Sequence, residues 1–144
     1  MRSIMLDSNV IFSGIVFGGK PAILLKTILR EDFQLVIPED QIEELYRLFR
    51  RMLPKQLYLL EAYMALQRTK ILPATRYARK IKAAIRLIRD KKDAPLLACA
   101  LLIKPMYFIT GDKDFHVESI KRKVNVLTPE EFIENIQMYE SSMR

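Results

Sequence analysis

Four acidic residues occupy positions where the carboxyl edge of a parallel sheet would gather them. Asp7 and Asp112 each follow a short apolar run with the composition of a β-strand. Glu44 lies in the first turns of a predicted helix, and Asp93 opens the apolar stretch 94–103. Ligands of parallel sheets collect outside the carboxyl ends of the strands, and carboxylates that meet there repel one another unless a cation lies between them. This arrangement predicts a metal site.

Each of these acids also has a purely structural explanation. Asp7 and Asp112 could stabilise turns, as aspartate routinely does, and Asp93 could serve only as a helix N-cap. Glu44 could be an ordinary solvated helix residue. Because all four are predicted at the same edge of one sheet, we favour a common role over four separate ones.

Mg²⁺ and Mn²⁺ are the cations that such a site would prefer, because hard cations take oxygen ligands. Held by carboxylates, either ion can activate a water and stabilise the charge on the leaving oxygen of a phosphodiester. Zinc fits poorly, since the sequence has one cysteine and one histidine, Cys99 and His116. A phosphate-binding loop is excluded as well, because Pro21 follows Gly18-Gly19-Lys20 where that motif needs serine or threonine.

The charge balance indicates a polyanionic partner. The sequence has 24 Lys and Arg against 17 Asp and Glu, a formal net charge of +7, and segments 47–55 and 76–92 concentrate the excess. Nucleic acid is the polyanion this favours, because phosphate contacts supply most non-specific affinity. Amphipathic helices also carry solvated basic side chains, so no single residue is decisive. The predicted nucleic-acid contacts are Arg47, Arg50, Arg51, Arg86, Arg89, Lys91 and Lys92.

Length and composition suit one globular domain over residues 1–144, since half of the 144 residues are hydrophobic. The longest uncharged apolar run, 94–103, has about half of the ~20 residues that a membrane span needs. The N-terminal residues lack the apolar stretch and cleavage site of a signal peptide. Cys99 has no second cysteine with which to form a disulfide. We expect a cytoplasmic protein without a membrane segment.

Strand-like and helix-like segments alternate along the chain. Turn-forming residues and the glycines Gly14, Gly18 and Gly19 predict a turn and a loop after the first strand, and Thr128 with Glu131 predicts a capping box before the last helix. The alternation predicts a three-layer α/β/α sandwich around a mainly parallel sheet. The predicted strands are 3–6, 33–37, 71–72, 106–110 and 124–127, and the predicted helices are 22–30, 41–52, 55–68, 77–89, 94–103 and the segment after Thr128.

The motifs in this order resemble those of the PIN domain family. Leu6-Asp7-Ser8-Asn9-Val10 is similar to the opening of a PIN domain, and Ile42-Glu43-Glu44-Leu45 is similar to its second motif. The stretch 93–101 resembles the third motif, and Ile109-Thr-Gly-Asp-Lys-Asp-Phe115 resembles the fourth. The closing Leu127-Thr-Pro-Glu-Glu-Phe132 is similar to toxin-like members. The resemblance extends over nearly the whole chain, because these short motifs are distributed from residue 6 to residue 132.

The resemblance implies a PIN-like α/β/α sandwich and a Mg²⁺- or Mn²⁺-dependent endoribonuclease that acts on single-stranded RNA. It also implies the toxin of a toxin–antitoxin pair, inhibited by a small partner protein, and a homodimer. The basic residues named above would then bind RNA. The acids that it implies for catalysis and metal binding are Asp7, Glu44, Asp93 and Asp112, with Asp114 as a further acid near the metal.

The sequence also allows a different second acid and other functions. Glu43 is adjacent to Glu44, and Glu44 is preferred because a leucine follows it, as in the family motif. A catalytically inactive PIN-like module that binds RNA or protein is the main alternative function, although such a module has no need to hold four carboxylates together. An aspartyl phosphatase is less favoured, because it needs a second aspartate two residues after Asp7, where the sequence has Asn9.

Overall fold

The computed structural model of the protein describes residues 2–143 and contains one five-stranded sheet. The strands are β1 (Ser3–Leu6), β2 (Gln34–Pro38), β3 (Lys70–Leu72), β4 (Tyr107–Ile109) and β5 (Val126–Leu127). The helices are α1 (Ser8–Val16), α2 (Lys20–Arg30), α3 (Glu39–Met52), α4 (Leu57–Leu66), α5 (Ala74–Tyr77), α6 (Ile81–Leu87), α7 (Ala94–Ile103), α8 (Glu118–Lys121) and α9 (Pro129–Ser142). Turns of 3-10 helix lie at Pro54–Gln56, Ala78–Lys80, Lys91–Asp93 and Lys113–Phe115.

The sheet has the strand order β3-β2-β1-β4-β5, and all neighbouring strands are parallel. The chain runs outward from β1 through β2 to β3 and then returns to the other side of β1 with β4 and β5. The strand order therefore reverses between β1 and β4, whose register pairs Leu6 with Ile109. The connections that follow β1 and β4 run in opposite directions, which opens a crevice at the carboxyl ends of these two strands. The predicted parallel α/β architecture is confirmed.

Successive residues of the central strand enter two separate hydrophobic cores. Ile4 and Leu6 pack with residues of α1–α4 and α9, whereas Met5 packs with residues of α5–α8. All three side chains are fully buried. Because neighbouring side chains of a strand point to opposite faces, helices must cover both faces of the sheet. The result is the predicted three-layer sandwich.

The segment that follows β1 is a helix, so the prediction of a turn and a loop is wrong there. α1 begins directly after Asp7, whose carboxylate accepts the backbone N–H of Val10 at 2.9 Å. The β-branched residues and Gly14 give α1 a low intrinsic helix propensity. Burial of Val10 and Ile11 in the core, together with the cap, outweighs that propensity. The predicted loop is reduced to residues 17–19.

The helix predicted over 77–89 is interrupted by the 3-10 turn Ala78–Lys80. At its start, the Tyr77 hydroxyl donates to the Asp40 carboxylate, and the Asp40 backbone N–H donates to the Tyr77 oxygen at 3.2 Å. Further along, Ala84 of α6 is buried in the core around α7. Tyr77 is buried in that same core, so the segment is held on both sides of the break. The other predicted strands and helices are present at slightly different ends, and the short α8 is an addition.

Within residues 2–143, no single helix combines the length and apolar character needed to cross a bilayer. α1 and α2 together have sufficient length and apolar composition, but they are bent by 104° at their junction.

We expect Gly14→Ala to lower the free energy of unfolding by about 1–3 kcal/mol, the usual cost of overpacking a core. A Cβ atom there would lie 2.4 Å from Cγ and Cδ1 of Leu25 and 3.0 Å from the carbonyl oxygen of Pro21. Leu25 is itself buried, so α1 and α2 would have to separate. Gly18→Ala is the matched control, since no described residue lies within 4 Å of the added Cβ. Equal urea midpoints for the two variants would contradict this prediction.

Candidate active site

Asp7 and Asp112 lie at the carboxyl ends of β1 and β4, and Thr110 joins them. The Thr110 hydroxyl donates to the Asp7 carboxylate, and the Asp112 backbone N–H donates to the hydroxyl oxygen at 3.0 Å. The Asp7 backbone N–H donates to the Ile109 carbonyl at 3.1 Å, which extends the pairing of β1 and β4 to the acid. The backbone of β4, the N-terminus of α1 and the buried Thr110 together hold Asp7 in one position.

Asp93, Asp112 and Asp114 form a cluster in which each residue offers a carboxylate oxygen within 4.8 Å of the others. Asp93 stands at the N-cap position of α7, yet among the described residues its side chain caps no backbone N–H. Its oxygens are therefore available to a ligand. Asp112 Oδ1 accepts the backbone N–H of Asp114 at 2.9 Å, which stabilises the turn that carries both acids.

One cavity of about 850 Å³ adjoins this cluster. Its lining includes Asp7, Glu44, Asp93 and Asp112, so the structure brings the four predicted acids together. Asp114 belongs to the cluster but lies outside the lining. Apolar side chains of α1, α2, α7 and α9 complete the walls.

Glu44 lines the cavity because Gln41 ties α3 to the end of β1. The Gln41 side-chain Nε2 donates to the carbonyl oxygen of Leu6 at 2.6 Å, and Gln41 is almost fully buried. Glu44 follows three residues later, on the same side of the helix. Glu43 is not part of the lining, which favours Glu44 as the acid of the second motif.

Two acids of the cavity, Asp93 and Asp7, have raised pKa values. Burial, followed by the negative charges of Asp112, Asp90, Glu44 and Asp114, raises the pKa of Asp93 to about 6. Burial also raises the pKa of Asp7, although the hydrogen bonds from Thr110 and Val10 oppose that change. Crowded carboxylates that resist ionisation are a donor set that a hard divalent cation would stabilise. The residues present therefore fit Mg²⁺ or Mn²⁺.

We expect Asp93→Asn to flatten the pH dependence of stability of the metal-free protein between about pH 4 and pH 7. The folded-state pKa of Asp93, about 6, lies above the ordinary value of 3.8, so the folded state binds this proton more tightly than the unfolded state does. That contribution is complete below the unfolded pKa and is lost as the pH rises through the folded one. Denaturant unfolding in EDTA across this range measures it. Parallel curves for Asp93→Asn and wild type would contradict the prediction that the pKa of Asp93 is raised in the folded state.

Among the predicted RNA contacts, only Lys92 lines the cavity. Beside it, the Nε of Arg89 donates to Oδ1 of Asp114 at 2.9 Å. Lys20, at the start of α2, also lines the cavity, although the charge distribution did not single it out. Arg89 and the other predicted RNA contacts lie outside the lining, the others being Arg47, Arg50, Arg51, Arg86 and Lys91.

Sequence reasoning also missed three acids in the lining, Asp40, Glu130 and Glu134. The last two are one turn apart on α9, a spacing that is visible in the sequence, but nothing local indicates that α9 adjoins β1 and β4. Thr110 was missed as well. Its signal was present, because a polar residue that directly follows an apolar strand and precedes a candidate acid needs a hydrogen-bond partner when buried.

Comparisons with known proteins give the family and support the fold. A family model described as the PIN domain matches residues 3–114. No curated protein matches the chain significantly. Among solved structures, one chain of the crystal structure of VapBC2 from Rickettsia felis bound to a DNA fragment from their promoter is similar in fold, with a TM-score of 0.61 at 14% identity. The similarity covers 88% of this chain and 97% of that chain. From the family match, the chain belongs to the PIN domain family.

Proposed function

We propose that the protein is a Mg²⁺- or Mn²⁺-dependent endoribonuclease that cleaves single-stranded RNA. PIN domains are in general metal-dependent nucleases. The observation that carries the proposal is the cluster of Asp93, Asp112 and Asp114, whose oxygens lie within 4.8 Å of one another beside a cavity. Asp7 and Glu44 line that same cavity. A structural role as caps or turn residues would not require these acids to converge.

Asp93 and Asp112 are the acids that would hold the cation, with Asp7 and Glu44 close by in the same cavity and Asp114 at its rim. A bound Mg²⁺ or Mn²⁺ would supply an activated water and stabilise charge on the phosphodiester. The contribution of the chain is to hold the acids in place beforehand. Thr110 and the N-terminus of α1 do so for Asp7, so little reorganisation is needed when the reaction occurs.

RNA must approach an acidic cavity, so basic side chains around it have to attract the phosphate backbone. Lys20 and Lys92 line the cavity, and Arg89 lies beside it. Arg47 is exposed on α3 and follows Glu44 by about one turn, which puts both on one side of the helix. We propose these four residues as the nearest of the RNA contacts, with the remaining basic residues of segments 47–55 and 76–92 further out.

We further propose that the protein is the toxin of a toxin–antitoxin pair, that a small partner protein inhibits it, and that it forms a homodimer. The toxin-like motif at residues 127–132 and the fold similarity to a chain of the VapBC2 complex support a protein partner. Phe17, Ile23 and Met138 are exposed apolar side chains that protein contacts could cover. A gene for a small protein immediately upstream would support the toxin–antitoxin pair. Light scattering of the purified chain would show whether it is a dimer.

Cleavage of a mixed pool of single-stranded RNA tests the activity. We expect cleavage with added Mg²⁺ or Mn²⁺, none in EDTA, and slower cleavage of a double-stranded control. RNA that is bound but remains intact with either ion would identify the chain as the inactive binding module instead. RNA that is neither bound nor cleaved would exclude the nuclease and an RNA-binding module, and would leave a module that binds protein.

A further inference from the structure

Arg89 is attached to the acidic cluster by a contact that leaves most of its guanidinium free. Its Nε donates to Oδ1 of Asp114 at 2.9 Å. The Asp114 side chain is 17% exposed, whereas that of Arg89 is 79% exposed. A guanidinium has five N–H donors, and this contact uses one of them. Within residues 2–143, the side chain of Arg89 makes no other hydrogen bond or ion pair.

The position of Arg89 places these free donors next to the proposed cleavage site. Asp114 is both the partner of Arg89 and a member of the cluster with Asp93 and Asp112. Lys92, which lines the cavity, follows Arg89 by three residues, and its backbone N–H donates to the Asp90 carboxylate at 3.0 Å. One short, hydrogen-bonded segment therefore carries two cations and an acid of the cluster.

Arg89 differs from every other basic side chain that forms an ion pair in the described part of the chain. The acids of the other pairs lie outside both the cluster and the cavity lining. Those pairs are Arg30–Glu140, Arg68–Asp32 and Arg122–Glu118. Arg89 alone among them is oriented by a carboxylate of the site.

We propose that Arg89 binds a backbone phosphate of the RNA and that Asp114 is its positioning residue, more than a principal ligand of the metal. The inference rests on RNA as the substrate of the proposed function. The terminal nitrogens of arginine match phosphate oxygens bidentately, and a side chain already held in place loses less rotamer freedom on binding. Pairing with Arg89 offsets the charge of Asp114, which leaves Asp93 and Asp112 as the stronger ligands for a cation.

Four variants test this assignment: Arg89→Ala, Arg89→Lys, Asp114→Ala, and the double variant Arg89→Ala/Asp114→Ala. Anisotropy of a fluorescein-labelled single-stranded RNA in EDTA measures Kd without cleavage, and calorimetric titration with Mn²⁺ measures metal affinity. Arg30→Ala is the matched control, because it removes an arginine from an exposed 2.9 Å ion pair away from the cavity. Thermal unfolding verifies that each variant is folded.

We expect Arg89→Ala to raise the Kd for RNA by about two- to tenfold, the contribution to affinity expected of one oriented side chain. The Kd of Arg89→Lys should lie between those of wild type and Arg89→Ala. Asp114→Ala should weaken RNA binding relative to wild type, because Arg89 loses the carboxylate that positions it. The double variant should bind RNA no more weakly than Arg89→Ala, because without Arg89 the loss of a negative charge only favours RNA. The Mn²⁺ affinity of Asp114→Ala should stay within about threefold of wild type, well above that of Asp112→Asn. Arg30→Ala should change RNA affinity by less than about twofold.

Four results would overturn the proposal: wild type that binds no RNA, Arg89→Ala that binds RNA as tightly as wild type, Asp114→Ala that binds RNA at least as tightly as wild type with Arg89 present, or Asp114→Ala that loses Mn²⁺ binding as fully as Asp112→Asn does. Cleavage is not a readout in any of these measurements. A chain that binds RNA through Arg89 without cutting it would therefore pass this test while failing the test of nuclease activity.

Discussion

We expect Asp112→Asn to reduce RNA cleavage by on the order of 100-fold or more, the scale seen when a group that stabilises transition-state charge is removed. The amide nearly matches the carboxylate in shape, and its oxygen can still accept the Asp114 backbone N–H at 2.9 Å. It lacks the negative charge that would hold a cation beside Asp93. Cleavage of single-stranded RNA in Mg²⁺ or Mn²⁺, with variant and wild type side by side, is the measurement.

The same substitution at Asp7 should also abolish cleavage without lowering stability. The new amide keeps an oxygen for the Val10 backbone N–H, and its NH2 group can donate to the Thr110 oxygen in place of accepting the Thr110 hydroxyl. The cost of that reversed hydrogen bond is offset because the carboxylate charge, whose burial raises the pKa of Asp7, is gone. Loss of this buried charge should leave the melting temperature of the metal-free protein level or higher. Glu43→Gln, outside the cavity lining, is the control and should cleave like wild type. Full activity in both aspartate variants would mean that these acids are structural caps.

We expect Thr110→Val to lower cleavage by about 10- to 100-fold, the usual effect of removing a residue that orients metal ligands. Valine matches threonine in shape but cannot donate to the Asp7 carboxylate or accept the Asp112 backbone N–H. Because Thr110 is fully buried, the groups left without a partner should also lower the free energy of unfolding by about 1–3 kcal/mol. Cleavage rates and urea unfolding measure the two effects separately.

Thr110→Ser separates the hydroxyl from the rest of the side chain. Serine retains the oxygen that joins Asp7 to Asp112 and loses one methyl group, which costs about 0.8 kcal/mol of burial. Its cleavage rate should therefore stay near that of wild type. Comparable loss of activity in the serine and valine variants would show that packing of the methyl group, and not the hydroxyl, keeps the acids in place.

The class of fold and the set of converging acids could be predicted from local patterns. Buried parallel strands are visible in the sequence as short apolar runs. The capping box at Thr128 and Glu131 forms as expected, with both reciprocal hydrogen bonds present. Asp7 and Asp112 follow such strands directly, so the sheet brings them together once β1 and β4 are neighbours. Local propensity was misleading for α1, because burial against the core outweighs its weak helix-forming composition.

The sequence by itself determined where the strands and most of the helices occur, and that acids stand at the ends of strands, because these properties depend mainly on residues close together in the chain. Only the tertiary structure decided which side chains meet. Lys20 lines the cavity and Arg86 does not, while Asp114 is shared between the cluster and Arg89. Thr110 and Asp7 are 103 residues apart and are in contact because β1 pairs with β4. Contacts of this kind depend on how helices pack on the sheet, and local composition carries no record of that packing.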